Sequence, residues 1–236
     1  MGVEFFYFRL VTIFMKLNII LTGATGMVGE GVLHECLLHP DVEQMLVLTR
    51  KPCGVAHPKL KEIIVADFND LSSVASELGG YNSCFFCLGV SSIGLKEEEY
   101  LDLTYNLTIN AATVLANQNP DMTFCYISGK GTDSTEEGRQ MWARVKGKTE
   151  NDLLKLHFKA VYNFRPGFIK ATEGMKNTLS YYKYFGWMYP LLRLLYPSGV
   201  STLKEVGLAM IAVAQHGYSK PVLEVKDIVA VAKKTS

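Results

Sequence analysis

The chain has almost no net charge, no long apolar run and too few cysteines for a disulfide framework, and each lack removes a class of protein. Lys and Arg number 24 against 23 Asp and Glu, a formal charge of +1. No global field therefore draws the chain to nucleic acid or anionic lipid, and no Lys/Arg run of patch size occurs. A clean stretch of about 20 apolar residues, the length that crosses a bilayer, is also missing. The five cysteines, at positions 36, 53, 84, 87 and 125, are odd in number and scattered, which reads as reduced thiols in a cytoplasmic protein. Cys84 and Cys87 form a C-x-x-C inside an apolar, strand-like run. Residues three apart on a strand face opposite sides and cannot share one metal ion. The five histidines show no ligand spacing, so no metal is expected.

The N-terminus is unusual. Phe5–Phe14 is apolar and aromatic, interrupted by Arg9, and runs into a first strand without a small-residue cleavage site. Residues 1–14 are read as an extension outside the fold, with membrane association through them, or through Trp187–Tyr196, as the weaker alternative. What remains, 15–236, suits one α/β domain with a small lobe at about 167–220.

Apolar runs alternate with helical patterns. Strands are predicted at Leu17–Thr22, Gln44–Thr49, Leu60–Val65, Ser83–Leu88, Thr123–Ser128 and Ala160–Arg165. Helices are predicted at Met27–Leu38, Leu71–Leu78, Lys96–Asn117 and Glu136–His157. Further on, Thr202–His216 reads as an amphipathic helix and Pro221–Val225 as a short strand before a last helix. Short, nearly continuous apolar strands separated by helices indicate a parallel sheet covered on both faces. The predicted fold is therefore a doubly wound parallel α/β sheet of Rossmann type, with its ligand crevice at the carboxyl ends of the strands.

The first strand-turn-helix carries the strongest signal. Thr22-Gly23-Ala24-Thr25-Gly26-Met27-Val28-Gly29 places Gly23 at a tight turn, Gly26 where backbone approaches a pyrophosphate and Gly29 where helix packs on strand. The helix N-terminus offers unpaired N–H groups and a partial positive charge to phosphate. After the second strand comes Leu48-Thr49-Arg50-Lys51, with no carboxylate for the ribose hydroxyls of NAD. Arg50 suits a 2′-phosphate instead, so NADP is favoured over NAD. Asp67 and Phe68, after the third strand, are placed beside the adenine, and Leu88 and Gly89, after the fourth, along the cofactor.

With these motifs on the page, the chain resembles the short-chain dehydrogenase/reductase superfamily, in its extended and atypical, epimerase/dehydratase-like branches. The T-G-x-x-G-x-x-G turn, Asp67 and Arg165-Pro166-Gly167 carry the likeness. The Ser128–Asp133 segment, Val145-Lys146-Gly147 and Val222-Leu223-Glu224 resemble the group around the Tat-interacting protein of 30 kDa. The resemblance implies a Tyr-x-x-x-Lys pair for proton transfer, a nearby serine for the substrate oxygen and an asparagine that organises the site. In this chain Lys146 matches the lysine, Ser128 the serine and Asn106 the asparagine, and Pro166 lies beside the cofactor. Trp142 stands where the tyrosine is expected. An indole N–H can donate a hydrogen bond but cannot cycle a proton at neutral pH. Lys130 is a further possible donor. The expectation is an NADP-dependent oxidoreductase or epimerase-like enzyme of unusual chemistry acting on a small molecule, or a non-catalytic NADPH-binding sensor, in either case able to form a homodimer.

Overall fold

The first strand, β1 (Leu17–Thr22), is buried on both faces: Ile19 and Leu21 enter one core layer and Ile20 the other. The computed structural model describes residues 15–177 and 188–234. Residues 1–14 and Trp187 lie outside that range. From β1 the chain runs through α1 (Met27–Leu38), β2 (Val42–Thr49) and β3 (Leu60–Ile64). A 3-10 turn (Ser72–Glu77) and β4 (Ser83–Phe86) follow. Next come α2 (Glu97–Leu101), a π-helical turn (Asp102–Asn106), α3 (Leu107–Gln118), β5 (Thr123–Ile127), α4 (Met141–Leu153) and β6 (Ala160–Arg165). The C-terminal part holds β7 (Phe168–Lys170), α5 (Tyr189–Leu195), β8 (Val200–Thr202), α6 (Leu203–His216), β9 (Val222–Glu224) and α7 (Val225–Ala232).

Seven strands form one sheet in the order β3-β2-β1-β4-β5-β6-β9, each parallel to its neighbours. The order reverses between β1 and β4, which puts the crevice of such a sheet at the carboxyl ends of those two strands. One layer packs Val32 and Leu33 of α1 and Val206, Met210 and Val213 of α6 on the sheet. The other packs Ala111 and Leu115 of α3 and Leu153 of α4 against Phe86 and Phe124. Each fully buried aliphatic or aromatic side chain contributes roughly 1.5–3 kcal/mol. Cys84 belongs to the second layer and Cys87 packs on the first, the opposed facing expected of residues three apart.

The helix expected at Leu71–Leu78 is the 3-10 turn, and the one expected at Lys96–Asn117 is divided by the π turn; three further departures have causes that can be named. The helix expected at Glu136–His157 is only Met141–Leu153, because the Asp133 carboxylate takes the amides of Thr135 (3.0 Å) and Gly138 (2.7 Å), and Glu136 has φ +63°. Those bonds hold 133–138 as a loop against the helical alternative. The strand expected to reach Leu88 ends at Phe86, and the Leu88 amide turns to Thr22 Oγ1 (3.3 Å). Finally, α6 is not part of a separate lobe. Thr202 caps it, accepting the Glu205 amide at 3.0 Å, and a Cβ on its Gly207 would lie 2.8 Å from the Glu35 side chain of α1. Beyond the main sheet the described lobe reduces to the parallel β7–β8 pair, α5 and their connections.

Candidate functional site

The turn after β1 is shaped by backbone contacts that exclude a side chain. Gly23 has φ +75°, and a Cβ there would lie 2.6 Å from the Cys87 carbonyl. A Cβ on Gly29 would come within 2.1 Å of the Gly23 carbonyl oxygen. Gly26 differs: its nearest neighbour would be that same oxygen at 3.4 Å, so its outer side is open. Gly26 is also the N-cap of α1, with no side chain capping the helix, so the first amides there, from Met27 and Val28, have no side-chain acceptor. This is the geometry of an anion-binding helix start.

A cleft of about 400 Å³ extends from this turn and is lined by Gly23, Thr25, Thr49, Arg50, Phe68 and Leu88, with Lys51 at its rim. A smaller one of about 160 Å³ adjoins it through Arg50, Phe68 and Leu88 and continues past Asp67 and Gly89 to Leu107. Arg50 is exposed and makes no hydrogen bond or ion pair among the described residues. Phe68 is buried and Asp67 exposed, its carboxylate accepting from the Asn69 amide at 2.8 Å. The structure thus brings together Gly23, Thr25, Arg50, Asp67, Phe68, Leu88 and Gly89. A cavity of about 650 Å³ at the amino-terminal side of β2 and β4, lined by Gln44, Lys61, Glu77 and Tyr81, shares none of these residues.

The residues matched to catalysis are placed differently from expectation. Ser128, at the end of β5, is buried and donates its hydroxyl to Glu150 Oε1 at 2.5 Å, with the Phe164 carbonyl 3.0 Å away. Glu150 is itself buried and pairs with Arg165, whose Nε donates to Oε1 at 3.0 Å and whose other arm donates to Oε2. The Ser128 hydroxyl is therefore part of an internal ion-pair network joining β5, α4 and β6, which corrects its expected role toward a substrate oxygen. Glu150 was not singled out from the sequence. A carboxylate four residues after Lys146 on one helical face was the available signal.

Lys146 Nζ donates to the Ser128 carbonyl at 2.5 Å and stands 5.9 Å from the centre of the Tyr126 ring. Burial pulls its pKa down to about 8, with the Glu150 charge opposing. Tyr126 is a core residue whose phenol is pushed up by burial. Asn106 ends the π turn, where its Nδ2 donates to Asp102 Oδ1 at 2.5 Å; its neighbour Tyr105 donates to Asp152 on α4 at 2.8 Å. Trp142, in the first turn of α4, is half-buried, and its indole covers Gly131, where a Cβ would sit 3.4 Å from the ring. Pro166 is buried and its carbonyl accepts the Lys130 amide at 2.9 Å.

Two contacts tie the C-terminal segments to this rim. Lys130 Nζ donates to the Tyr196 hydroxyl and, at 2.9 Å, to the Ser198 carbonyl. Glu30, in the first turn of α1, accepts the amides of Lys176 (2.8 Å) and Asn177 (2.7 Å). Neither Glu30 nor Tyr196 was identified from the sequence, because both act on segments far along the chain.

The fold is a doubly wound parallel α/β sheet, and known structures share it. The ADP-L-glycero-D-manno-heptose-6-epimerase of Helicobacter pylori superposes with a TM-score of 0.63 at 16% identity, covering 93% of this chain and 82% of that one. The Bordetella bronchiseptica enzyme WbmF, solved in complex with NAD+, gives 0.62 at 17% identity, covering 94% and 78%. Uronate dehydrogenase from Agrobacterium tumefaciens gives 0.62 at 17%, covering 89% and 76%.

No protein-family model matches the chain. By sequence it is similar to leucinostatins biosynthesis cluster protein T of Purpureocillium lilacinum, 31% identical over 60% of this chain and 52% of that protein. It is likewise similar to the mitochondrial protein fmp52-1 of Aspergillus oryzae, 29% identical over 64% and 66%. The mitochondrial protein FMP52 of Candida albicans is 24% identical over 89% and 92%. The chain thus spans about half to two thirds of the first two relatives. The cytoplasmic location expected from cysteine usage is overturned by the two FMP52 relatives, which are named mitochondrial: reduced thiols do not distinguish the two compartments.

Proposed function

We propose that the chain binds a nicotinamide dinucleotide along the cleft, NADP in preference to NAD, and acts as an atypical oxidoreductase on a small carbonyl or sugar-like substrate. The observation that carries the reading is the cleft that runs from the glycine turn, at Gly23 and Thr25, to the exposed guanidinium of Arg50, which has no partner among the described residues. The residues fit the group. The first amides of α1 would receive a pyrophosphate, Arg50 would pair with a 2′-phosphate and Phe68 and Leu88 would flank the cofactor, while Lys146, matched to the family's lysine, would turn its ammonium to ribose hydroxyls. When bound, the dinucleotide supplies or accepts a hydride at its nicotinamide. The names of the FMP52 relatives support a mitochondrial location for this protein, checked by fractionation of a tagged full chain.

Thermal unfolding tests the binding claim: NADPH raises the melting temperature and NADH raises it less. If neither raises it, the reading falls. A second reading, a nucleotide-binding sensor without turnover, is favoured by one observation, the indole of Trp142 four residues before Lys146, and agrees with the likeness to the Tat-interacting protein group. NADPH oxidation with a panel of carbonyl compounds separates the two readings.

A further inference from the structure

A dinucleotide reductase needs a group that gives a proton to the substrate oxygen, and the indole of Trp142 cannot. A phenol is nevertheless present at the same rim, supplied by the C-terminal segment. Tyr196 follows α5, and its hydroxyl accepts a hydrogen bond from Lys130 Nζ, which also stands 4.3 Å from the centre of the ring. Lys130 lies two residues after Ser128, whose carbonyl holds Lys146, and one residue before Gly131, which the Trp142 indole covers. Trp142, Gly131, Lys130 and Tyr196 are thus linked in one series at the carboxyl end of β5.

The phenol is fixed there by close packing. The Tyr196 ring presses on Gly199, where a Cβ would fall 1.9 Å from a ring carbon; the Gly199 carbonyl in turn lies where a Cβ on Gly167 would come within 2.2 Å. The Tyr196 amide closes α5 onto the Leu192 carbonyl at 2.8 Å, and the Gly199 amide returns to the Tyr196 carbonyl at 3.0 Å. Tyr196 is 50% exposed, so the residue stands at the surface and not in the core.

We propose that Tyr196, with Lys130 as its cationic partner, is the proton donor of the site, replacing the phenol that Trp142 displaces from α4. This rests on the dinucleotide reading above. As a carbonyl carbon takes up a hydride, its π electron pair moves to oxygen, and that oxygen takes the proton from Tyr196 Oη. The phenolate left behind is stabilised by the Lys130 ammonium and takes a proton from water. Lys130 does not touch the reacting atoms and is a positioning residue.

The test uses the full chain and the variants Tyr196→Phe, Lys130→Gln and Lys130→Arg. In the free protein, 13C NMR of ring-labelled tyrosine identifies the Tyr196 Cζ signal by its loss in Y196F. That signal shifts in K130Q and returns toward its original position in K130R. With NADPH and 9,10-phenanthrenequinone or 4-nitrobenzaldehyde, Y196F lowers kcat about 100-fold or more, the scale of a lost general acid, with KM and the NADPH Kd unchanged. K130R recovers most of the rate that K130Q loses. A Tyr196 signal that ignores K130Q, a Y196F variant at the wild-type rate, or a wild-type protein that binds NADPH but reduces neither compound overturns the proposal alone. A wild-type protein that binds no NADPH overturns the dinucleotide reading as well.

Discussion

Lys146 reaches the Ser128 carbonyl with its ammonium while the hydroxyl of that serine turns the other way, to Glu150. One residue just past β5 thus serves two functions: its carbonyl holds Lys146, and its side chain joins the Glu150–Arg165 pair. Removing the two partners has different consequences. Glu150→Ala takes from Arg165 its two-pronged carboxylate partner, leaving the guanidinium to Glu224 (3.3 Å) and Ser134, and costs up to about 3–5 kcal/mol in urea unfolding. Ser128→Ala costs about 1–3 kcal/mol and leaves the NADPH Kd unchanged, since Lys146 is held by the backbone. A large loss of NADPH affinity in S128A at unchanged fold would contradict this arrangement.

The glycines of the first turn separate folding from binding. Gly29→Ala forces a methyl against the Gly23 carbonyl and lowers stability by about 1–3 kcal/mol or more, together with nucleotide affinity. Gly26→Ala leaves stability nearly unchanged, because its outer side is open, and weakens NADPH binding by filling that side. Chemical unfolding and fluorescence titration of the two variants measure both effects.

Arg50 determines the choice of dinucleotide in this reading. A charge-assisted hydrogen bond to phosphate is worth about 1.5–3 kcal/mol, so Arg50→Ala weakens NADPH binding by about 10- to 100-fold and leaves NADH within a few-fold of wild type. Equal losses for both nucleotides would assign Arg50 to a shared part of the cofactor.

Lys146 predicts a pH dependence of known sign. Its folded pKa, about 8, lies below the roughly 10.4 of an unfolded lysine. Below pH 8 the ammonium is present in both states and the cost of burying it is fully felt. Between about 8 and 10.4 the unfolded chain binds more protons, so stability gained from this group rises with pH. NADPH binding moves oppositely, weakening as the ammonium is lost above pH 8. Lys146→Met flattens both dependences, and urea unfolding and titration at pH 7, 8 and 9 reveal whether it does.

Much of the fold was legible because its signals are local. Leu17–Thr22 and Ala160–Arg165 match the predicted strands residue for residue, and α1 runs over Met27–Leu38 as expected, since an apolar run broken by Gly-rich or Pro-flanked turns states its own ends. The amphipathic pattern of Thr202–His216 likewise marked α6, but nothing local showed that this helix packs on α1. The three-residue strands β7 and β8 are too short for periodicity and were missed. In the site, the glycine turn and Arg50 were legible from spacing alone. The Ser128 hydroxyl was not, because its direction depends on Glu150 and on a strand that begins 32 positions later, at Ala160. Gly147 was noted as part of a motif without its reason: a Cβ there would collide with the Asp133 carbonyl at 1.7 Å, so α4 can lie against the 133–134 loop only with glycine at that position.

The two hydrogen bonds that Glu30 accepts make the first turn of α1 a shared pin between distant parts of the chain. The same helical turn whose first amides lack a side-chain acceptor also holds, through one carboxylate, a segment 146 residues further along the chain. Any displacement of that turn therefore bears directly on the backbone of Lys176 and Asn177, two residues that lie far beyond it in sequence and beside it in space.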